Sequence, residues 1–191
     1  MPRKTDHQER RTRIADALMR VAAERGLEEV SLRHVAAEAG VSAGMVQHYF
    51  RTKAEMMLFA MSVVRERGEE RIGAEVARLG TDPAPRALLR TIITTALPLT
   101  AETSADGKVA LAFLAYSTVH PAAAEALRVD TAGMLTYLAS LIPTARPSDD
   151  AAALLALMEG LGLYLLSGHY TAEQALSALD SFLDRCFTVA A

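Results

Sequence analysis

The stretch Glu38–Lys53, EAGVSAGMVQHYFRTK, decides how the rest of the chain is read. Gly40 separates two short apolar segments, a small-residue turn follows, and Gln47, His48, Tyr49, Arg51 and Lys53 then gather around one short helix. Two helices joined by a tight turn make local demands that this stretch can be checked against. Val35 and Val46 have to pack against each other, Ala36 has to be small where the helices cross, and Gly40 supplies the unusual backbone angles of the turn. VAAEAGVSAGMV meets all of them, with Ser31 placed to cap the first helix and Ser42 the second. The expectation is a helix-turn-helix whose second helix carries amide, imidazole and phenol groups beside cations.

The whole chain of 191 residues carries 20 Lys and Arg against 23 Asp and Glu, so those cations do not reflect a basic protein. Residues 1–53 hold ten Lys/Arg against seven Asp/Glu, whereas residues 54–191 hold ten against sixteen. A mildly basic head on an acidic body suits a polyanion that meets the head alone; ordinary solvated surface is the blander account. The composition is apolar enough for a sizeable core. No basic, apolar, small-residue leader opens the chain. The most apolar stretch, Ala151–Gly168, is broken by Glu159 and two interior glycines, and its uncharged runs are short of the roughly 18 residues a membrane span needs. A cytoplasmic protein without membrane partners is expected. Cys186 is alone, which rules out an internal disulfide or a cysteine-based zinc site and leaves a packed thiol or a redox sensor.

Apolar residues recur at helical spacing almost throughout, and no segment reads as a strand. Ile14, Ala17, Leu18, Val21 and Ala22 form the stripe of the first helix, which Gly26 stops; Leu27 and Val30 lead to Ser31. Thr52 and Glu55 form a capping-box pattern for a fourth helix running to about Leu79. Asp82 as cap and Pro83 at the first helical position open a fifth helix ending near Pro98. TAETSADGK reads as a polar loop or frayed start before a sixth helix, and a seventh begins near Pro121, with a possible bend at Gly133. Ser148, Asp149 and Asp150 mark the next helix start, and Thr171 with Gln174 a capping box for the last. The fold class is all-α with about nine helices: a flexible tail over residues 1–9, a helix-turn-helix head over 10–53 and a helical body over 54–191.

The pattern SLRHVAAEAGVSAGMVQHYFRTKAEMM, preceded by an amphipathic helix ending AAERGLEEV, resembles the TetR family of transcriptional regulators over residues 10–60. The body is similar to the branch that includes choline-responsive repressors. The resemblance implies that the third helix enters the major groove of a near-palindromic double-stranded operator. Gln47 can pair with adenine or bond a phosphate, and His48 can serve either base or phosphate. Ala43 and Met45 can touch thymine methyls, and Gly44 lets the backbone approach closely, with Ser42 at the helix start. Tyr49 can give its hydroxyl to a phosphate, as can Arg33 from the second helix; Lys53 can meet the backbone together with the free N–H groups of the fourth helix. Phe50 reads as core. The family often has tyrosine where this chain has Gln47, which alters the expected operator preference.

The resemblance also implies a homodimer. Ala152, Ala156 and Gly160 form a small-residue row that permits close helix approach, and Leu176, Leu179, Leu183 and Phe187 a stripe on the last helix; together they would pair with a second copy or else bury within one chain. An unidentified small-molecule effector is expected in the body. Met61, Phe113, Met134 and Met158 suit an apolar pocket or ordinary packing, and Tyr116, His120, Tyr137, Glu159 and Tyr164 supply polar groups. No histidine pair has metal spacing and no serine, cysteine and histidine group resembles an activated nucleophile, so no catalytic residue, metal or cofactor is expected. The function expected is a ligand-responsive repressor. The alternatives are a DNA-binding dimer without sensing, or a small helical enzyme.

Overall fold

A computed structural model describes residues 3–26 and 29–188, with side chains from His7 onward. Leu27, expected ahead of the second helix, lies outside the described residues. Among the described residues there are nine helices and no strand. They are α1 (Arg3–Arg25), α2 (Leu32–Ala39), α3 (Ala43–Tyr49), α4 (Lys53–Ala77), α5 (Pro85–Ala96), α6 (Ala101–Ser117), α7 (Pro121–Leu141), α8 (Pro147–Leu166) and α9 (Ala172–Thr188). Two compact units result, one of residues 1–67 with 108–124 and one of 68–107 with 125–191. The first unit therefore reaches past residue 53 along α4 and takes in much of α6, which a boundary drawn from the head motif alone does not anticipate.

In the first unit, helix ends follow the local chemistry. Gly26 and Gly40 stop α1 and α2 in the left-handed region, at φ 84° and 66°. At Gly40 the amide of Val41 donates to Ala36 O (3.0 Å) and that of Gly40 to Ala37 O (3.2 Å), so two carbonyls left over at the end of α2 are satisfied at once. Ser31 Oγ accepts from the His34 amide and Ser42 Oγ from the Met45 amide, both at 3.1 Å. α1 begins at Arg3, so most of the expected tail is helix; its Lys, Gln, Glu and Arg residues are good helix formers even without an apolar stripe. Arg11 shows what holds this part of α1. Its guanidinium carbon lies 4.4 Å from the Phe59 ring centre and 5.0 Å from that of Phe50. Arg67 on α4 bonds Asp16 on α1 at 2.7 Å, and Arg20 on α1 bonds Glu38 on α2 at 2.6 Å.

The second unit is built on a core of Leu89, Ile93 and Leu97, Leu138 and Ile142, Leu154 and Leu161, and Leu179, Leu183 and Cys186. Charge fixes α5 against α9 beside it. Arg90 holds Asp180 with both carboxylate oxygens, at 2.7 and 3.0 Å, and Arg86 reaches Asp184 at 2.6 Å. The Arg90 hydrogen bonds, helped by the Arg86 charge, keep the Asp180 carboxyl below its usual range. Burial, with Asp150 adding to it, pushes the Cys186 thiol up, the wrong direction for a reactive thiolate. Cys186 is a packing residue.

The starts of α5 and α6 and one cap contact at α4 differ from expectation. α5 opens at Pro85 with Ala84 before it and no side-chain cap, instead of at Asp82 and Pro83. A residue preceding proline is pushed out of the helical region, and Ala84 accordingly sits at ψ 135°. The same effect of Pro98 on Leu97, at ψ 147°, ends α5 at Ala96. The polar segment before α6 is helix from Ala101, because Thr100 and Thr103 cap each other: each amide donates to the other's hydroxyl, at 3.0 and 3.1 Å. Thr171 and Gln174 form the expected reciprocal pair at α9. At α4, Thr52 Oγ1 accepts from the Glu55 amide at 3.1 Å as expected, while the Glu55 carboxylate reaches one residue further back than a capping box does, accepting from the Arg51 amide at 2.9 Å.

Replacing Gly40 by alanine tests the turn. The added Cβ would meet only Arg13, at 3.9 Å, so the cost is backbone strain. A loss of about 1–2 kcal/mol in denaturant titration, with an unchanged m-value, is expected. Unaltered stability would contradict a left-handed Gly40.

Candidate nucleic-acid interface

A helix as short as α3 has no stability of its own. Val46 and Phe50, both 0% exposed, anchor it, opposite a fully buried Val35 on α2. Burying positions 46 and 50 turns the other face outward: Ala43, Gly44, Gln47 and His48 are exposed, as is Ser42 ahead of them, and Met45 is 38% exposed. A Cβ at Gly44 would meet nothing nearer than Ser42 Oγ at 4.0 Å, so the backbone there is open to close approach. Tyr49 is half-buried, its ring centre 5.3 Å from His48 and 4.7 Å from His7 on α1. Arg33 is exposed on α2, Arg51 is exposed after α3, and Lys53 is half-buried in the first turn of α4.

α1 adds residues that the sequence reading missed. Arg10 and Arg13, with Ile14, Val41 and Met45, line a small recess of about 260 Å³ next to the exposed end of α3. Both arginines are exposed. Their position could have been found by carrying the stripe one turn back, since Arg10 falls four residues before Ile14 on the same helix face. The expected contact residues and these two cations thus lie on four helices and one turn of the first unit.

The effector candidates do not share one environment. Phe113 is buried, while Tyr116 is half-buried and stacks on His120 at 3.6 Å between ring centres. Met61 and Met158 are half-buried and Glu159 is exposed. Met134, Tyr137 and Tyr164 are 43, 50 and 43% exposed, on the surface of their unit. None of the nine lines the recess of about 520 Å³ that α4, α5 and the start of α6 form in the second unit. Among the dimer candidates, Ala152 and Ala156 are exposed and Gly160, Leu176 and Phe187 half-buried. Leu179 and Leu183 are 0% exposed inside their own chain, so they are core residues with no surface to offer a partner. They lie between Leu176 and Phe187 on a stripe wider than one contact face. No group of three or more His, Cys, Asp or Glu side chains could hold a metal ion among the described residues.

A short, capped helix with a polar outer face, braced by a second helix and flanked by cations, defines a helix-turn-helix regulator of transcription. The comparisons agree. Residues 14–59 match the model for bacterial regulatory proteins of the TetR family, and residues 85–188 that for the C-terminal part of BetI-type transcriptional repressors. The chain is 34% identical to the transcriptional regulator PksA of Bacillus subtilis, over 87% of its own length and 83% of the relative's. It is 31% identical to the regulator BetI of Burkholderia thailandensis, over 96% of both chains. A transcriptional regulator from Rhodococcus sp. Rha1 has the same fold, with a TM-score of 0.85 at 34% identity, over 94% of this chain and 96% of that one. The chain belongs to the TetR family and is a DNA-binding transcriptional regulator.

Gln47→Ala should reduce discrimination at one or two base pairs of the bound site by about 1–3 kcal/mol, measured by competition among single-base variants of a duplex. Equal weakening on every variant would move Gln47 to the phosphate backbone.

Proposed function

We propose that the protein is a homodimeric, cytoplasmic repressor that a small molecule releases from a near-palindromic operator. The observation that carries this reading is the outward face of α3, from Ala43 to His48, held rigid by the burial of Val46 and Phe50. Gln47 and His48 read base edges, Ala43 and Met45 meet methyl groups, and Arg33, Tyr49 and Lys53 hold phosphates, joined by Arg10 and Arg13. One such helix spans few base pairs, so a two-fold dimer supplies a second half-site. The repressor sense is supported by the match of more than half the chain to BetI-type repressors.

Dimerisation is assigned to α8 and the rim of α9. Ala152 and Ala156 stand exposed one turn apart and Gly160 follows, leaving a shallow strip along which a second helix can approach closely. Leu163 on the same helix is 49% exposed, a large apolar side chain left to solvent in the single chain. On α9, the half-buried Leu176 and Phe187 are assigned to the same interface. Effector binding in the body would favour a conformer whose two heads no longer match the half-site spacing. Complete release needs roughly 10⁴-fold preference for that conformer, and partial induction much less. This reading assigns no catalytic step to the chain.

Gly160→Glu separates assembly from folding, because a Cβ at Gly160 meets nothing within 4 Å in its own chain. The variant should keep wild-type helical content, sediment as a monomer, and bind a full operator no better than a half-site. A dimeric Gly160→Glu protein would refute the α8 assignment.

A further inference from the structure

The outer face of α9 carries Glu173, Ser177, Ser181 and Arg185 at every fourth position. All are exposed, on the side of the helix opposite the buried Ala175, Leu179 and Leu183. The row stands as a ridge between two shallow grooves, one bordered by Leu176, Asp180 and Asp184 and the other by Gln174 and Ala178. With glutamate at one end, arginine at the other and two small hydroxyls between, it is self-complementary. Turned end over end, the row sets Glu173 opposite Arg185 and Ser177 opposite Ser181, the relation that a two-fold axis imposes on two copies of one surface.

Neither end charge is used inside the chain. The helix holds Glu173 and Arg185 about 18 Å apart along its axis, too far to pair. Every other arginine of the second unit, namely Arg71, Arg78, Arg86, Arg90, Arg128 and Arg146, pairs with a carboxylate of its own chain. Arg185 instead donates to the Ser181 hydroxyl at 3.0 Å and lies over the Phe182 ring, and among the described residues neither it nor Glu173 makes an ion pair. The nearby acids Asp180 and Asp184 are held by Arg90 and Arg86. An acid in the first turn of a helix and a base in the last also suit its dipole, but that leaves the serines unexplained, since serine is a poorer helix former than the alanine, lysine or glutamate an exposed face can take. Short side chains there let a second helix come close, and the ridge of each copy can then enter a groove of the other.

We propose that α9 packs antiparallel against α9 of a second copy, with Glu173 paired to the partner's Arg185 and Ser177 against the partner's Ser181, and that these charges set which chain is accepted as partner. The proposal rests on the homodimer reading above and adds its register. Two-fold symmetry makes each contact occur twice, so reversing one charge brings like charges together at both ends of the pair.

Sedimentation equilibrium of the full-length protein at low salt tests this, with helical content as the control for folding. Glu173→Arg and Arg185→Glu should each weaken dimerisation about tenfold, and the double variant should come back to within about threefold of wild type. Mixing the two single variants should give a heterodimer tighter than either homodimer, because both of its contacts join opposite charges. A role limited to the helix dipole gives the reverse order, with the double variant the least stable of the three. Unchanged dimerisation in both single variants, or a double variant weaker than either, would overturn the register. A monomeric wild type would overturn the homodimer reading along with it, whereas a monomeric Gly160→Glu beside dimeric charge variants would overturn the register alone.

Discussion

A helix of seven residues cannot maintain its own shape in water, because the hydrogen bonds gained do not offset the entropy of ordering so short a segment. α3 exists because Val46 and Phe50 are taken completely out of solvent, and everything attributed to its outer face depends on that burial. The surrounding parts serve the same end. Gly40 lets α2 stop at the angle α3 requires, Ser42 satisfies the first turn, and Arg11 lies across the rings of Phe50 and Phe59 where α3 gives way to α4. A side chain that reads a base edge needs a backbone that does not move, since a hydrogen bond weakens steeply with misalignment. Rigidity in the buried face is therefore the physical condition for selectivity in the exposed one.

The second unit uses its residues differently. Its apolar core is backed by ion pairs that lock α5 to α9, and α8 keeps a strip of small residues exposed. Arginines there do two kinds of work. Arg86 and Arg90 complete their charge within the fold, whereas Arg71 is fixed by two carboxylates and still has a buried donor to spare.

The head was legible in the sequence because its determinants are local. Ser31, Gly40 and Ser42 act on residues at most a few positions away, so spacing alone exposes them, as it does Thr171 and Gln174 at the start of α9. Asp82 and Pro83 misled because Pro85, two residues on, overrules them through Ala84. The Thr100–Thr103 pair escaped notice because a threonine takes the place of the usual Glu or Gln. Leu179 and Leu183 show a different limit: periodicity marks a stripe as apolar without saying which part faces a chain's own core and which a partner.

The central claim, that the segment from Ser42 to His48 reads duplex DNA as part of a symmetric pair, is tested most directly by selecting bound sequences from a pool of random duplexes. The account predicts enrichment of an inverted repeat whose half-sites fall on successive major-groove faces of the duplex. Recovery of no enriched sequence, or of a single half-site without a symmetric partner, would contradict it.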